Sequence, residues 1–155
     1  MIMKEIWKYD GWIRVISVYS FVILILNLVW EFLHMPLYTL YYTGSTSEII
    51  ISALHCTGGD LLIAMSALML VLLFTSNSWP DDPKTYLKVA IMTTILGILY
   101  TLFSEWLNIE VRESWEYSEH MPTVPIINIG LSPFLQWIII PVTSFLFARY
   151  KLYHW

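Results

Sequence analysis

The stretch VISVYSFVILILNLVW, residues 15–30, decides the fold, because it is long, apolar and carries no charged residue. Extended to about residues 13–33, it reaches the roughly 20 mainly apolar residues that a transmembrane helix needs. Three further runs of this kind follow at about 49–74, 86–107 and 124–148. The sequence therefore predicts an all-α fold. We expect a polytopic membrane protein with four transmembrane helices in one bundle, forming a single domain over residues 1–155.

The composition of the chain supports a membrane protein and excludes other classes. Only 13% of its 155 residues are charged, against about 25% in an ordinary soluble domain. Eight Lys and Arg are outnumbered by twelve Asp and Glu, so the basic surface that neutralises nucleic-acid phosphates is missing. We therefore expect no nucleic-acid partner. The expected partner is the lipid bilayer, with a homo-oligomer or a larger membrane complex as further candidates.

The basic residues predict the orientation of the four spans. Seven of the eight fall on one side of the predicted membrane: Lys4, Lys8, Arg14, Lys84, Lys88, Arg149 and Lys151. Arg112 alone falls on the other side. Since loops rich in Lys and Arg stay in the cytoplasm, both termini are predicted to be cytoplasmic. The connections at 35–48 and 108–123 are then external.

Five ionisable side chains lie within the predicted spans or at their outer ends, where a charge is costly unless it faces the bundle interior. Glu31 and His34 lie at the outer end of the first span, His55 and Asp60 lie in the second, and Glu105 lies near the outer end of the third. A rise of 1.5 Å per residue places all five in the outer half or near the midplane. Asp60 and Glu105 are the most costly of them, and we predict that they are the catalytic, proton-handling residues.

Amide and hydroxyl side chains extend this set. Asn128, Ser132 and Gln136 recur every four residues on the predicted fourth span and would share one helix face. Asn108 follows the third span. We expect these groups and the ionisable ones to line a polar cavity open to the outer side. Asn108, Ser132 and Gln136 are the candidate cofactor-binding residues.

A metal site is the sharpest functional interpretation of this pattern. Glu31-x-x-His34 is the (i, i+3) carboxylate–imidazole unit that di-iron bundles use, although those bundles need two such units. With His55 it supplies three candidate ligands for a transition metal, and haem is the other candidate cofactor. His55 and Asp60 are roughly 140° apart around a helix, which argues against one ion binding both. The alternative is that these groups only hydrogen-bond one helix to another.

The external loop at 108–123 has its own pattern. Trp115 and Tyr117 are interleaved with acidic residues spaced three apart, namely Glu110, Glu113, Glu116 and Glu119. This spacing predicts a short helix on the outer surface, with the aromatic rings in the headgroups and the acids in water.

Three phrases carry a resemblance to a known group. They are HCTGGD at 55–60, FSEWLN at 103–108, and Met121-Pro122 followed by GLSP at 130–133 and Gln136-Trp137. They resemble small bacterial inner-membrane proteins, an uncharacterised family without an established activity, over most of the chain from Trp30 onward. The resemblance implies a multi-pass location in the bacterial inner (plasma) membrane and nothing about chemistry.

The sequence thus predicts an integral inner-membrane protein with a polar, candidate metal-binding site in the outer half of a four-helix bundle. One hypothesis is a redox or lipid-substrate membrane enzyme. A second is a non-catalytic accessory or assembly subunit of a membrane complex. A third is a small transporter, although four spans leave little room for two gates. The sequence does not decide whether the chain is an enzyme.

Overall fold

The computed structural model describes the backbone of residues 2–75, 78–125 and 127–154. Side chains are described over the same ranges except residues 2–9 and 153. Of the residues named above, Lys4 and Lys8 therefore lie outside the described side chains.

The described residues are mostly helical. The elements follow in the order α1 (Ile2–His34), a 3-10 turn (Met35–Leu37), α2 (Leu40–Thr43), α3 (Thr46–Leu73), α4 (Pro83–Trp106), a π-helical turn (Leu107–Val111), β1 (Thr123–Val124), β2 (Ile129–Gly130) and α5 (Leu131–His154). Within this part of the chain, four segments are long and apolar enough to cross a membrane: Asp10–Leu37, Thr46–Leu73, Pro83–Val111 and Leu131–Leu152. The predicted helical fold with four candidate spans is confirmed.

Local capping explains where α3 and α4 begin. At α3, the Glu48 N–H donates to Ser45 Oγ (3.3 Å) and the Ser45 N–H donates to Glu48 Oε2 (2.7 Å). This reciprocal capping box satisfies two free N–H groups of the first turn. At α4, Asp82 Oδ2 accepts from the Thr85 N–H (2.7 Å), and Pro83 occupies the first helical position, where no N–H is needed.

The fourth long helix begins later than the sequence predicts. α5 begins at Leu131, whereas the predicted span begins near Val124. The intervening backbone folds into a short hairpin, in which β1 pairs with β2 in antiparallel register. The hairpin uses backbone groups that a helix would need, so the predicted start near Val124 is wrong.

Asn128 consequently lies outside α5. It occupies the hairpin turn with φ 50°, and its N–H donates to the Val124 carbonyl (3.0 Å). Asn is among the few residues that adopt this left-handed conformation at low cost. The prediction that Asn128 shares a helix face with Ser132 and Gln136 is therefore wrong, while those two do share a face of α5.

The four long helices pack as a closed bundle. α1 contacts α3 and α5, and α4 contacts the same two helices. Trp137 of α5 lies directly against Gly97 of α4, where an added Cβ would overlap the indole ring. A small residue at this position lets α4 and α5 approach closely, as small residues do between membrane helices.

One end of the bundle is closed by aromatic side chains. Tyr19 and Trp79 are fully buried there. The Trp79 ring stacks on Tyr86, whose hydroxyl donates to the Phe145 carbonyl (2.7 Å). The Arg149 guanidinium lies over the Tyr86 ring, 4.9 Å from its centre. This end is therefore packed with apolar rings.

Two connecting segments close the other end, and we call residues 35–43 together with 112–125 and 127–130 the cap. Tyr38 and Tyr117 form a β-bridge. The Thr39 N–H donates to the Glu116 carbonyl (3.0 Å), and the Ser118 N–H donates to the Leu37 carbonyl (2.9 Å). The predicted surface helix over 108–123 is wrong, because the chain leaves the π-helical turn at Arg112 and runs irregularly from there to β1.

Candidate functional site

A group of polar side chains from all four long helices lies beneath the cap, and we call it the polar cluster. Its members are Asn27, Glu31 and His34 of α1, Asp60 of α3, Glu105 of α4, and Ser132 and Gln136 of α5. Each side chain is placed by a helix that also packs in the apolar core. The cluster is therefore held by the bundle itself rather than by loops.

Gln136 joins three of the four helices. Its Nε2 lies 2.8 Å from Asn27 Oδ1, 2.9 Å from Asp60 Oδ2 and 3.0 Å from Glu31 Oε1. An amide nitrogen carries two hydrogens, so it can donate to only two of these oxygens at a time. The carboxyl groups of Glu31 and Asp60 thus compete for the same donor. A proton carried by one of them relieves that competition.

His34 extends the network from Glu31 toward the cap. Its Nε2 lies 3.1 Å from Glu31 Oε2, and its Nδ1 lies 3.1 Å from Ser132 Oγ. Ser132 Oγ also accepts from the Trp30 indole N–H (3.2 Å). The His34 ring therefore links Glu31 of its own helix to Ser132 of α5.

Glu105 connects the cluster to the cap. Its Oε2 accepts a hydrogen bond from the Tyr117 hydroxyl, and the Tyr117 oxygen accepts from the Gly130 N–H (2.9 Å). Burial, followed by the nearby Glu105 carboxylate, raises the pKa of Tyr117 above its ordinary value. The same two causes hold the pKa of Tyr38 well above its ordinary value. Both tyrosines are therefore neutral at ordinary pH, and Tyr117 acts as a donor.

The members of the cluster differ in exposure. Asn27, Glu31, Glu105 and Gln136 are 3–6% exposed. Asp60 is partly exposed on α3. Among the three carboxyl-bearing residues of the cluster, Asp60 is thus the least buried.

The structure brings together most of the residues that the sequence singles out. Beyond the Gln136 and His34 contacts, the Glu105 carboxyl interacts electrostatically with Glu31 and His34. Two predicted site residues lie elsewhere. His55 is exposed on the surface of α3. The Asn108 Nδ2 donates to the Ser104 carbonyl of the preceding turn (2.8 Å), and within the described part of the chain it has no hydrogen bond to another long helix.

The predicted metal ligands do not form a coordination shell. Glu31 and His34 are hydrogen-bonded to each other, and His55 lies apart from them on the exposed surface. Among the residues whose side chains are described, no group of three or more His, Cys, Asp or Glu is arranged to hold a metal ion. The described side chains therefore give the predicted metal site no support.

Two contributors to the site were missed in the sequence. Asn27 interrupts the first apolar run and lies four residues before Glu31, so its helical spacing could have assigned it to the same face as Glu31 and His34. Tyr117 gave no such signal. Tyr117 lies in an irregular segment whose course brings its hydroxyl to Glu105. Sequence periodicity does not predict contacts made by irregular segments.

No protein-family model, curated protein or solved structure matches the chain. The resemblance to small bacterial inner-membrane proteins therefore rests on the quoted phrases alone. The function has to be argued from the residues of the polar cluster.

Proposed function

We propose that the chain is a membrane enzyme of the bacterial inner membrane, with both termini in the cytoplasm, which performs acid–base chemistry on a lipid-soluble substrate. The orientation rests on the seven basic residues at one side of the spans. The observation that carries the chemistry is the Gln136 Nε2, which lies within 3.0 Å of both the Asp60 and the Glu31 carboxyl groups. Polar groups inside a membrane are expensive and usually functional.

Asp60 is the residue to which we assign proton transfer. It is partly exposed, whereas Glu31 is 4% exposed. When Asp60 loses its proton, Gln136 can donate to the new carboxylate instead of to Asn27, because its two hydrogens serve three oxygens. The amide can thus donate to Asp60 in either protonation state. General acid–base catalysis needs a group that both holds and releases a proton at the reaction site.

The Glu31–His34 pair supplies a second proton-binding site beside Asp60. His34 Nε2 lies 3.1 Å from Glu31 Oε2, and Glu31 Oε1 accepts from the amide that contacts Asp60. A proton that Asp60 removes from one atom of a substrate can be returned to another atom from Asp60 or from this pair. Protons then balance over the reaction, and no oxidant or reductant is required. We assign Glu105 a positioning role, because its Oε2 is used by Tyr117 of the cap.

A specific observation favours one alternative, a non-catalytic accessory or assembly subunit. Each buried member of the cluster that we describe has a hydrogen-bond partner within the chain. Such satisfied contacts also serve helix packing alone. A transporter is less well supported, because the end opposite the cap is filled by the fully buried rings of Tyr19 and Trp79.

The test is to incubate the purified protein with bacterial membrane lipids in D2O and to analyse the lipids by mass spectrometry. Proton transfer at a substrate carbon marks the product with deuterium. We expect one lipid class to gain deuterium with the wild-type chain and to remain unlabelled with Asp60→Asn. His55→Ala is the matched control on the same helix. With this variant, the lipid class should gain deuterium as it does with the wild type. Folded wild-type protein that leaves every lipid unlabelled would contradict the proposal and favour the accessory subunit.

A further inference from the structure

A long groove runs along the outer face of the bundle between α3 and α4. Its larger part has a volume of about 530 Å³ and is lined by apolar residues and two hydroxyl-bearing ones: Leu62, Ile63, Ser66, Ala67, Leu70, Leu96, Leu99, Tyr100 and Phe103. Leu62 and Leu99 are 70% and 57% exposed, so the groove faces outward, toward the expected bilayer. The occupant must therefore be apolar along this length.

The groove continues to the end of the bundle away from the cap. A second depression of about 340 Å³ shares Leu70 and Leu96 with the first and ends at Thr75 and Lys88. From Lys88 to Phe103 the distance along α4 is about 22 Å at 1.5 Å per residue. This length spans most of the roughly 30 Å hydrocarbon core of a bilayer.

A positively charged residue lies at the end of the groove away from the cap. Lys88 is exposed, and no carboxylate among the described side chains lies within ion-pair distance of it. Lys84 lies four residues earlier, on the same face of α4 and in its first turn. The start of α4 offers no free N–H group for a phosphate, because Pro83 has none and the Thr85 N–H donates to Asp82, so the attraction comes from the lysine side chains. The charge at this end is complementary to an anionic headgroup.

We propose that this groove is a binding site for an anionic phospholipid, with the phosphate at Lys88 and one acyl chain along α3 and α4. The end of this acyl chain that lies nearer the cap then reaches Ile63, about one helical turn from Asp60. The proposal of a lipid site rests on the groove and on Lys84 and Lys88. It does not depend on the proposed acid–base function. Asp60→Asn should abolish deuterium labelling and leave lipid binding unchanged, so the failure of either proposal is seen separately.

Native mass spectrometry of the detergent-purified full chain, titrated with phosphatidylglycerol or phosphatidylcholine, tests the proposal. We expect phosphatidylglycerol to bind the wild type more tightly, and Lys88→Gln to weaken its binding about fivefold, the effect expected for one basic residue near a membrane surface. Lys151→Gln, a lysine near the end of α5 that does not line the groove, should bind as the wild type does.

A second pair of variants tests the groove itself. Ser66 is exposed and lines the groove, so Ser66→Phe should fill it and reduce the binding of both lipids. Met69→Phe places the same aromatic ring on the same helix but outside the groove. Equal binding of the two lipids by the wild type, or equal binding by the Ser66→Phe and Met69→Phe variants, would overturn the proposal. So would a dimer that Ser66→Phe dissociates, because a second copy would then occupy the groove.

Discussion

The Tyr117 hydroxyl donates its hydrogen to Oε2 of Glu105 and so fastens the cap to α4. The Tyr117 hydroxyl oxygen also accepts a hydrogen bond from the Gly130 N–H (2.9 Å). Tyr117→Phe would leave both the Glu105 carboxyl and the Gly130 N–H without this partner. We expect the free energy of unfolding in detergent to fall by about 1–3 kcal/mol, the usual cost of leaving a buried polar group without a hydrogen-bond partner.

Tyr42 offers a matched control within the same cap. Its hydroxyl donates to the Pro36 carbonyl (3.2 Å), but the residue is 57% exposed, and water can replace the bond. Tyr42→Phe should change the free energy of unfolding by less than about 0.5 kcal/mol. Equal losses in the two variants would contradict a special role for the Tyr117 contact.

Gln136 should be the most sensitive amide in the chain. Gln136→Leu keeps the approximate volume but removes the donor that Asn27, Glu31 and Asp60 share. We expect a loss of about 1–3 kcal/mol in the free energy of unfolding, since buried oxygens are left without a donor. Denaturant titration in a fixed detergent, followed by Trp fluorescence, measures it.

Asn108→Leu is the comparison for this experiment. The Asn108 amide donates to Ser104, one turn earlier in the chain, and among the described residues it makes no hydrogen bond to α1, α3 or α5. Its replacement should cost less than that of Gln136. If Asn108→Leu is the more damaging change, the shared Gln136 amide does not hold the cluster together.

The helices could be predicted from the sequence because a membrane span needs a long apolar run, and such runs are visible without any tertiary information. The same holds for the Ser132–Gln136 face, whose spacing of four residues is a property of α-helices. Asn128 continues that spacing but lies in a hairpin turn with φ 50°, a conformation that depends on pairing between β1 and β2. Periodicity alone does not separate the two cases.

The chemistry of the site was harder to predict than its location. Glu31 and His34 were correctly expected on one face, but their spacing suits a hydrogen bond between them as well as a shared metal ion. The structure has the hydrogen bond, at 3.1 Å. His55 lies on the same helix as Asp60 but at a different angle around α3, and its side chain is exposed. Such an angle relative to the neighbouring helices is set by packing, which one sequence does not reveal.

Alkaline pH should loosen the cap. The pKa of Tyr117 is raised, first by burial and then by Glu105, above the ordinary value of 10.0 that applies in the unfolded chain. The folded chain thus holds this proton more tightly, so the stability that it contributes is complete below pH 10.0 and is lost as the pH rises toward the folded pKa. We expect the free energy of unfolding to decline above pH 10.0, and to decline less steeply in Tyr117→Phe. A wild type and a variant with parallel pH profiles would contradict this assignment.

Two glycines in helices should respond to alanine in opposite ways. At Gly97 an added Cβ would overlap the Trp137 ring, so Gly97→Ala must push α4 and α5 apart or move the indole. Overpacking of this kind costs about 1–3 kcal/mol. At Gly58 nothing lies within 4 Å of an added Cβ, so Gly58→Ala should instead stabilise α3 by about 0.5–1 kcal/mol through its better helix propensity. Thermal unfolding of both variants in the same detergent measures the difference. If Gly97→Ala unfolds at or above the wild-type temperature, the close contact between Gly97 and Trp137 does not exist in the folded protein.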